Sequence, residues 1–231
     1  MKRVLIKLSG EALRGEDSPF SVKMMEEIGE KLQPLLSKKI QISLVVGGGN
    51  VFRGRTQICP SFDRCQADHI GMLATIMNGL ALQGVLGSKG IRTKLFSALP
   101  ISGVCEAFDQ KKAIEALESG HVVICVAGSG TPYFTTDTAS VLRALELKCD
   151  VVMKATKVDG VYDCDPCENE KAKRFDALSY AEVISSGLQA MDLTSISLAA
   201  ENKLPILVFS LWEENCFERV LNNEITHTVV S

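Results

Sequence analysis

The chain has 231 residues, 46% of them hydrophobic and 23% charged, with a net charge of −3 and a pI near 5.7. That length and composition suit one large domain, or two small ones, with a substantial core, and argue against disorder. No basic stretch stands out, so nucleic acid is not expected as a partner.

Met1–Leu8 is too short an apolar run, broken by Lys7, to read as a secretory signal. No uninterrupted apolar run reaches membrane-spanning length, so the expected setting is the cytosol, without a membrane. Eight cysteines are scattered at positions 59, 65, 105, 125, 149, 164, 167 and 216. In a cytosolic chain of this size they read as thiols rather than a disulfide framework. Cys125 and Cys149, beside apolar strands, read as small buried hydrophobes. Cys164-Asp-Pro-Cys167 has no second pair and no nearby histidine, which speaks against a zinc or redox site.

Arg3–Leu8 reads as a first buried strand and Ser9–Ala12 as a tight turn. Lys7 is the odd residue there, because a lysine in a core strand is costly unless it meets an anion or reaches solvent at an edge. The other reading places it at the carboxyl end of the strand, where open α/β sheets bind ligands. Ser21 is placed to cap a helix over Val22–Leu36, with Met24, Met25, Ile28, Leu32, Leu35 and Leu36 largely on one face. Pro34 is expected to end or kink it.

Ile40–Val46 is the second strand, running into Gly47-Gly-Gly-Asn50 and then Arg53-Gly-Arg55. Three glycines at a strand end present several backbone N–H groups to one small volume, which suits phosphate oxygens. The run is neither G-x-G-x-x-G nor G-x-x-x-x-G-K-S/T, and an ordinary P-loop kinase is not expected.

A long helix is expected over Ala67–Leu86, with Asp68 and His69 in its first turn and Gly87 and Gly90 closing it. Asp68 in that position either favours the helix dipole or hydrogen-bonds ligand hydroxyls. His69 reads as a surface or packing residue. Arg92–Ser97 is a strand, Asp109 caps a short helix through Leu117, and His121–Val126 is another strand.

The next stretch, Ala127 to Asp137, is dense in glycine and hydroxyls before a helix over Thr138–Leu147. Glycine allows close backbone approach to a ligand, and hydroxyls and helix-start N–H groups offer donors. Asp137 could act simply as the N-cap.

Asp150–Ala155 is a strand, and Asp159-Gly160 is a turn signal that suggests a hairpin. Ser179-Tyr-Ala-Glu182 is a capping box, Asp192 caps a helix through about Ala200, and Leu204–Ser210 is a last core strand. Asn215–Leu221 and Ile225–Val230 complete the chain. The alternation of strand and helix argues for an α/β fold, a three-layer α/β/α sandwich with a central, mainly parallel sheet. No linker or repeat divides the chain, so one domain of two lobes is expected, roughly 1–148 and 149–231.

Several motifs now stand in order. They are Lys7-Leu-Ser9-Gly10-Glu-Ala-Leu13, Gly47-Gly-Gly-Asn50-x-x-Arg53-Gly54, Asp68-His-x-Gly-Met-Leu-Ala, Met77-Asn-Gly79 and Thr135-Thr-Asp137. Lys154-x-Thr156-x-Val-Asp-Gly-Val-Tyr162, Asp165-Pro166, Met191-Asp-Leu193 and Lys203-Leu-Pro-Ile follow. Together they resemble the amino-acid kinase superfamily, and within it the bacterial uridylate (UMP) kinases, nearly end to end.

The resemblance implies ATP- and Mg²⁺-dependent transfer of a γ-phosphoryl group to UMP, giving UDP. It puts Lys7, Ser9 and Gly10 on the ATP phosphates, Gly49 and Arg53 on the ATP side, and Thr156, Tyr162 and Asp165 on the adenosine. Gly48 falls on the UMP phosphate and Asp68 on the UMP ribose. Ser129, Gly130, Thr131, Pro132, Tyr133, Phe134, Thr135 and Thr136 wrap the uracil and phosphate. Lys7 and Asp137, then Arg53, are the expected catalytic residues, with Asp137 orienting Lys7 and acting on Mg²⁺ through water. No residue is assigned as a direct metal ligand.

The family also implies a homo-oligomer, typically a hexamer, and UTP as a possible inhibitor. Where bacterial members often carry a glycine-rich stretch linked to GTP activation, Arg14–Phe20 holds one glycine, which puts that activation in doubt. Alternatives on the same fold are a kinase for an acidic amino acid or carbamate, and a nucleotide-binding sensor or storage protein.

Overall fold

The computed structural model describes residues 1–52, 63–188 and 190–231. The expected Arg53, with Gly54 and Arg55, lies outside the described residues.

The central sheet contains β1 (Arg3–Leu8), β2 (Gln41–Val46), β3 (Thr93–Ser97), β4 (Glu106–Ala107), β5 (Val122–Val126), β6 (Val151–Thr156), β9 (Ala177–Leu178), β10 (Ile206–Ser210) and β11 (His227–Val230). Its order is β4-β3-β5-β2-β1-β6-β10-β11-β9. Among the described residues, all pairings in this sheet are parallel except β10 with β11. From β1 the chain goes to β2 on one side and later returns as β6 on the other. The strand order therefore switches at β1, whose carboxyl end carries Lys7. The crevice outside such a switch point is where open α/β sheets bind ligands.

Helices cover both faces, and the strands show why. Val4, Ile6 and Leu8 of β1 join one apolar cluster while Leu5 joins the other; Val122, Ile124 and Val126 of β5 part from Val123 and Cys125 in the same way. A period of two in a strand buried on both sides splits its side chains between two cores. The first core takes α1 (Val22–Ser37), α2 (Arg64–Ser88) and α7 (Cys216–Leu221). The second takes α3 (Gln110–Glu118), α4 (Thr136–Glu146), α5 (Tyr180–Ser185) and α6 (Leu193–Asn202).

Local signals placed most helix starts. Ser21, Asp109, Ser179 and Asp192 each accept a backbone N–H at the start of their helix, and Ser179 with Glu182 forms the expected capping box. Of the two outcomes expected at Pro34, an end to α1 is excluded, since the helix runs on to Ser37. Three expectations need correction. The helix expected from Ala67 starts at Arg64 behind an Asp63–Gln66 capping box, so Asp68 lies in its second turn, away from the free N–H groups, and Gly87 lies inside the helix.

Asp159-Gly160 turns no hairpin: β6 ends before it, and β7 (Val161–Tyr162) pairs instead with β8 (Arg174–Phe175) in a separate two-stranded sheet. Counting uninterrupted apolar runs also misses that α2, at 25 residues, is long and apolar enough to cross a membrane by length and composition. Met72, Ile76, Leu82 and Leu86 on α2 join the core, while Leu73, Met77 and Leu80 are exposed.

Candidate active site

Lys7 and Lys154 are register partners on the adjacent parallel strands β1 and β6. Each follows the parity of a residue in the second core, Leu5 and Val152, so both side chains leave the sheet on the α4 side. Two neighbouring ammonium groups with little water would repel strongly. Asp137 in the first turn of α4 meets both, with Oδ1 2.9 Å from Lys7 Nζ and Oδ2 2.9 Å from Lys154 Nζ. Lys154 also donates to the Ala190 carbonyl at 2.7 Å. The three side chains are only 13 to 16% exposed.

Burial alone would raise the Asp137 carboxyl, but Lys7 and Lys154 more than reverse this, and it is lowered to about 2. Burial pushes the Lys154 ammonium below its ordinary value, with Asp137 opposing and Lys7 adding to the shift. The cluster carries two cations and one anion, hence a net positive charge held at the carboxyl edge of the sheet. The motif that contains Lys154 implies no role for it by sequence alone. Its position next to the end of a buried strand, like that of Lys7, was the available signal.

Asp137 is not the N-cap of α4. Thr135 is, accepting from the N–H groups of Asp137 (3.1 Å) and Thr138 (3.3 Å). The Thr135 hydroxyl then donates to Asp192, the cap of α6, which also accepts from Thr138 Oγ1 at 2.9 Å. Asp192 thus joins the starts of two helices. Sequence reasoning saw only its cap role.

The glycine run is held by amides. Asn78 Nδ2 donates to the Gly47 carbonyl at 2.7 Å, and Asn50 Nδ2 donates to the Pro19 carbonyl at 2.7 Å. Gly10 sits so close that a Cβ there would lie 2.5 Å from Asn50 Oδ1 and 2.7 Å from Gly49 N. Only glycine lets the Ser9–Gly10 turn lie against the second glycine loop. Ser9 itself caps the short 3₁₀ turn Gly10–Leu13.

A cavity of about 320 Å³ opens beside this loop. Of the residues expected around the acceptor, Gly48, Asp68, Ser129, Phe134, Thr135 and Thr136 line it; Gly130, Thr131, Pro132 and Tyr133 do not. Gly49, expected on the donor side, lines it too, as do Phe52, Arg64 and Thr75, which the sequence reading did not single out.

Asp68 accepts from Arg64 Nε at 2.8 Å and from the Tyr133 N–H at 2.7 Å, both on Oδ2. The Arg64 guanidinium lies 5.1 Å from the Tyr133 ring centroid. Tyr133 has φ +74° and Ala127 φ +62°, so the loop is strained at its entrance and at its tip. The Ala127 N–H donates to the buried Thr75 hydroxyl at 2.7 Å, tying that entrance to α2.

A second cavity, of about 660 Å³, is lined by the expected Thr156, Tyr162 and Asp165, together with Val158, Val161 and Leu188. The Tyr162 hydroxyl donates to Asp159 at 2.6 Å, and this bond raises its pKa. Cys164 and Cys167 are exposed at its rim as free thiols. Cys125, Cys149 and Cys216 are buried, and burial pushes Cys125 up to about 12 and the other two up to about 11. Among the described residues, no three His, Cys, Asp or Glu side chains gather as a metal cage.

The model of the Amino acid kinase family matches residues 2–210. A uridylate kinase of Rickettsia prowazekii is 45% identical over 230 residues, covering 99% of this chain and 95% of that one. A uridylate kinase of Magnetococcus marinus is 47% identical, covering 99% and 95%. Among solved structures, a UMP kinase from Ureaplasma parvum superposes with a TM-score of 0.94 at 34% identity, covering 100% of this chain and 98% of that one. A UMP kinase from Bacillus anthracis gives a TM-score of 0.94 at 38% identity, covering 100% and 96%.

Proposed function

The chain belongs to the amino acid kinase family, and we propose that it is an ATP-dependent phosphotransferase that moves the γ-phosphoryl group of ATP to UMP, giving UDP and ADP for pyrimidine nucleotide synthesis. The observation that carries the reading is the Lys7–Asp137–Lys154 cluster. Asp137 adjoins Thr136 of the smaller cavity, and Lys154 lies two residues before Thr156 of the larger one. The relatives' names supply the nucleotide.

Phosphoryl transfer asks for positioning and charge stabilisation more than for covalent chemistry. The acceptor phosphate of UMP is already anionic near neutral pH, so no strong general base is required. Lys7 and Lys154 place positive charge where the transferring group accumulates negative charge, and Asp137 holds their ammonium groups in place. The Gly48 N–H serves the UMP phosphate, while the Gly49 N–H, Ser9 and Gly10 serve the ATP phosphates, joined by Arg53. Asp68 offers Oδ1 to the UMP ribose, its Oδ2 being engaged by Arg64 and Tyr133. The loop from Ser129 to Thr136 closes on uracil, and Thr156, Tyr162 and Asp165 take the adenosine. In this scheme residues 1–148 form the acceptor lobe and 149–231 the ATP lobe.

Both Asp137 oxygens face lysines, so the donor set fits Mg²⁺ carried by the ATP phosphates and water rather than by a protein cage. Bound there, the ion neutralises phosphate charge.

A second copy of the chain would pack on the exposed Leu73, Met77 and Leu80 of α2, a face suited to the assembly of a hexamer. Its expected setting is the cytoplasm, where ATP and UMP are available. UTP, as an end product, is its expected inhibitor. GTP activation is not expected, since Arg14–Phe20 lacks the glycine-rich stretch.

The test is ADP release from Mg·ATP with UMP beside CMP, aspartate, glutamate and carbamate. Turnover with UMP supports the proposal; turnover with an amino acid instead keeps the fold and discards the acceptor assignments.

A further inference from the structure

Trp212 is the one tryptophan of the chain, and 52% of it is exposed. An indole left in water forgoes the burial that large aromatics usually obtain. Its position is set by the sheet. Ser210, the last residue of β10, is the register partner of Thr156 on β6. The Leu211 N–H continues the pairing with a 2.9 Å bond to the Thr156 carbonyl. The Trp212 N–H then turns back to Ser210 Oγ at 3.2 Å. Trp212 is thereby fixed just beyond the carboxyl end of the sheet, on the side where both cavities open.

Two neighbours connect it to the proposed donor site. Trp212 shares a narrow cleft with Ser9, Thr156 and Lys157. Thr156 and Lys157 also line the 660 Å³ cavity. Ser9 belongs to the turn expected on the ATP phosphates. An exposed aromatic face thus stands where the nucleoside cavity borders the phosphate turn. Planar bases stack on such faces, and the larger purine gains more than a pyrimidine.

We propose that the Trp212 indole is the stacking platform for the purine base of the donor nucleotide, making it a specificity residue for the donor. This rests on the reading of the larger cavity as the ATP site. The platform does not touch the acceptor and is not catalytic.

With one tryptophan, intrinsic fluorescence reports this residue alone. Mg·ATP is expected to quench it, and UMP alone to leave it unchanged. Trp212→Leu should raise the KM for ATP about tenfold while kcat and the KM for UMP stay level, with Trp212→Phe recovering part of the loss. The penalty should be larger with purine than with pyrimidine triphosphates as donors. An unchanged KM for ATP in Trp212→Leu, or no fluorescence response in wild-type protein that turns over UMP, overturns the platform and leaves the kinase reading intact. Quenching by ATP without UMP turnover does the reverse. A spectrum that follows protein dilution rather than nucleotide assigns Trp212 to contact between copies, and also overturns the proposal.

Discussion

Asn50 and Asn78 exchange their side-chain amides: Asn50 Nδ2 donates to Asn78 Oδ1 at 2.8 Å, and Asn78 Nδ2 donates to Asn50 Oδ1 at 2.7 Å. Asn78 is fully buried on α2, and Asn50 closes the glycine run. Each uses its remaining amide proton on a backbone carbonyl, Gly47 for Asn78 and Pro19 for Asn50. The pair therefore fixes the glycine loop against α2 and against the segment that follows the Ser9–Gly10 turn. Asn78→Ala would strand both Gly47 O and the Asn50 amide. Its expected cost is about 2–4 kcal/mol in urea unfolding, with a raised KM for both nucleotides. A loss under about 0.5 kcal/mol would show that the loop holds its shape without the pair.

Asp137 separates structural from catalytic roles. Asp137→Asn leaves two nearby buried lysines without their anion, and a loss of about 3 kcal/mol is expected along with loss of turnover. Adding Lys154→Met removes one of the competing charges. The double variant should regain most of the stability and remain inactive. Recovery of activity with stability would make the cluster a structural feature only.

The same cluster sets an acid limit. The Asp137 carboxyl is lowered to about 2 in the folded chain, against 3.8 for an ordinary aspartate. A depressed carboxylate stabilises the fold fully above its unfolded pKa and loses that contribution as the pH falls through the folded one. Stability should therefore fall between about pH 4 and about pH 2, and the part of that loss due to Asp137 should be absent from the Asp137→Asn, Lys154→Met double variant. Equilibrium unfolding at stepped pH measures it.

Lys7 tests the chemistry most directly. Lys7→Ala leaves Asp137 paired with Lys154, so the fold should survive, with an unchanged circular dichroism spectrum. Turnover should drop by about 100-fold or more, the scale seen when one preorganised donor is taken from a developing charge. Near wild-type turnover would remove Lys7 from the mechanism.

Asp192 should act through the acceptor loop. Asp192→Ala deprives the Thr135 and Thr138 hydroxyls and the Ser195 N–H of their acceptor. We expect a loss of about 2 kcal/mol and a rise in KM for UMP that exceeds the rise for ATP, because Thr135 lines the smaller cavity. Equal effects on both substrates would mark Asp192 as a general brace between α4 and α6.

Strands, helices and most caps were legible in the sequence because they are local. A strand buried on both faces must be mostly apolar, and Ser21, Asp109, Ser179 and Asp192 cap helices that begin at the next residue. The family pattern, too, resides in short motifs whose order survives without coordinates. Local signals could not decide Asp137: an aspartate there can cap the helix, but Thr135 takes that place while the Asp137 carboxylate meets Lys7 and Lys154.

What only the tertiary structure decided is pairing across distance. Lys7 and Lys154 are 147 positions apart in the chain, and nothing local states that β1 and β6 are neighbours in register. That register places two ammonium groups side by side, and the largely buried Asp137 between them partly balances their charge. Asn50 with Asn78, Asp192 with Thr135, and Trp212 at the border of the larger cavity have the same origin. Each residue's type was visible from the start, but its role depended on which element the fold brought against it.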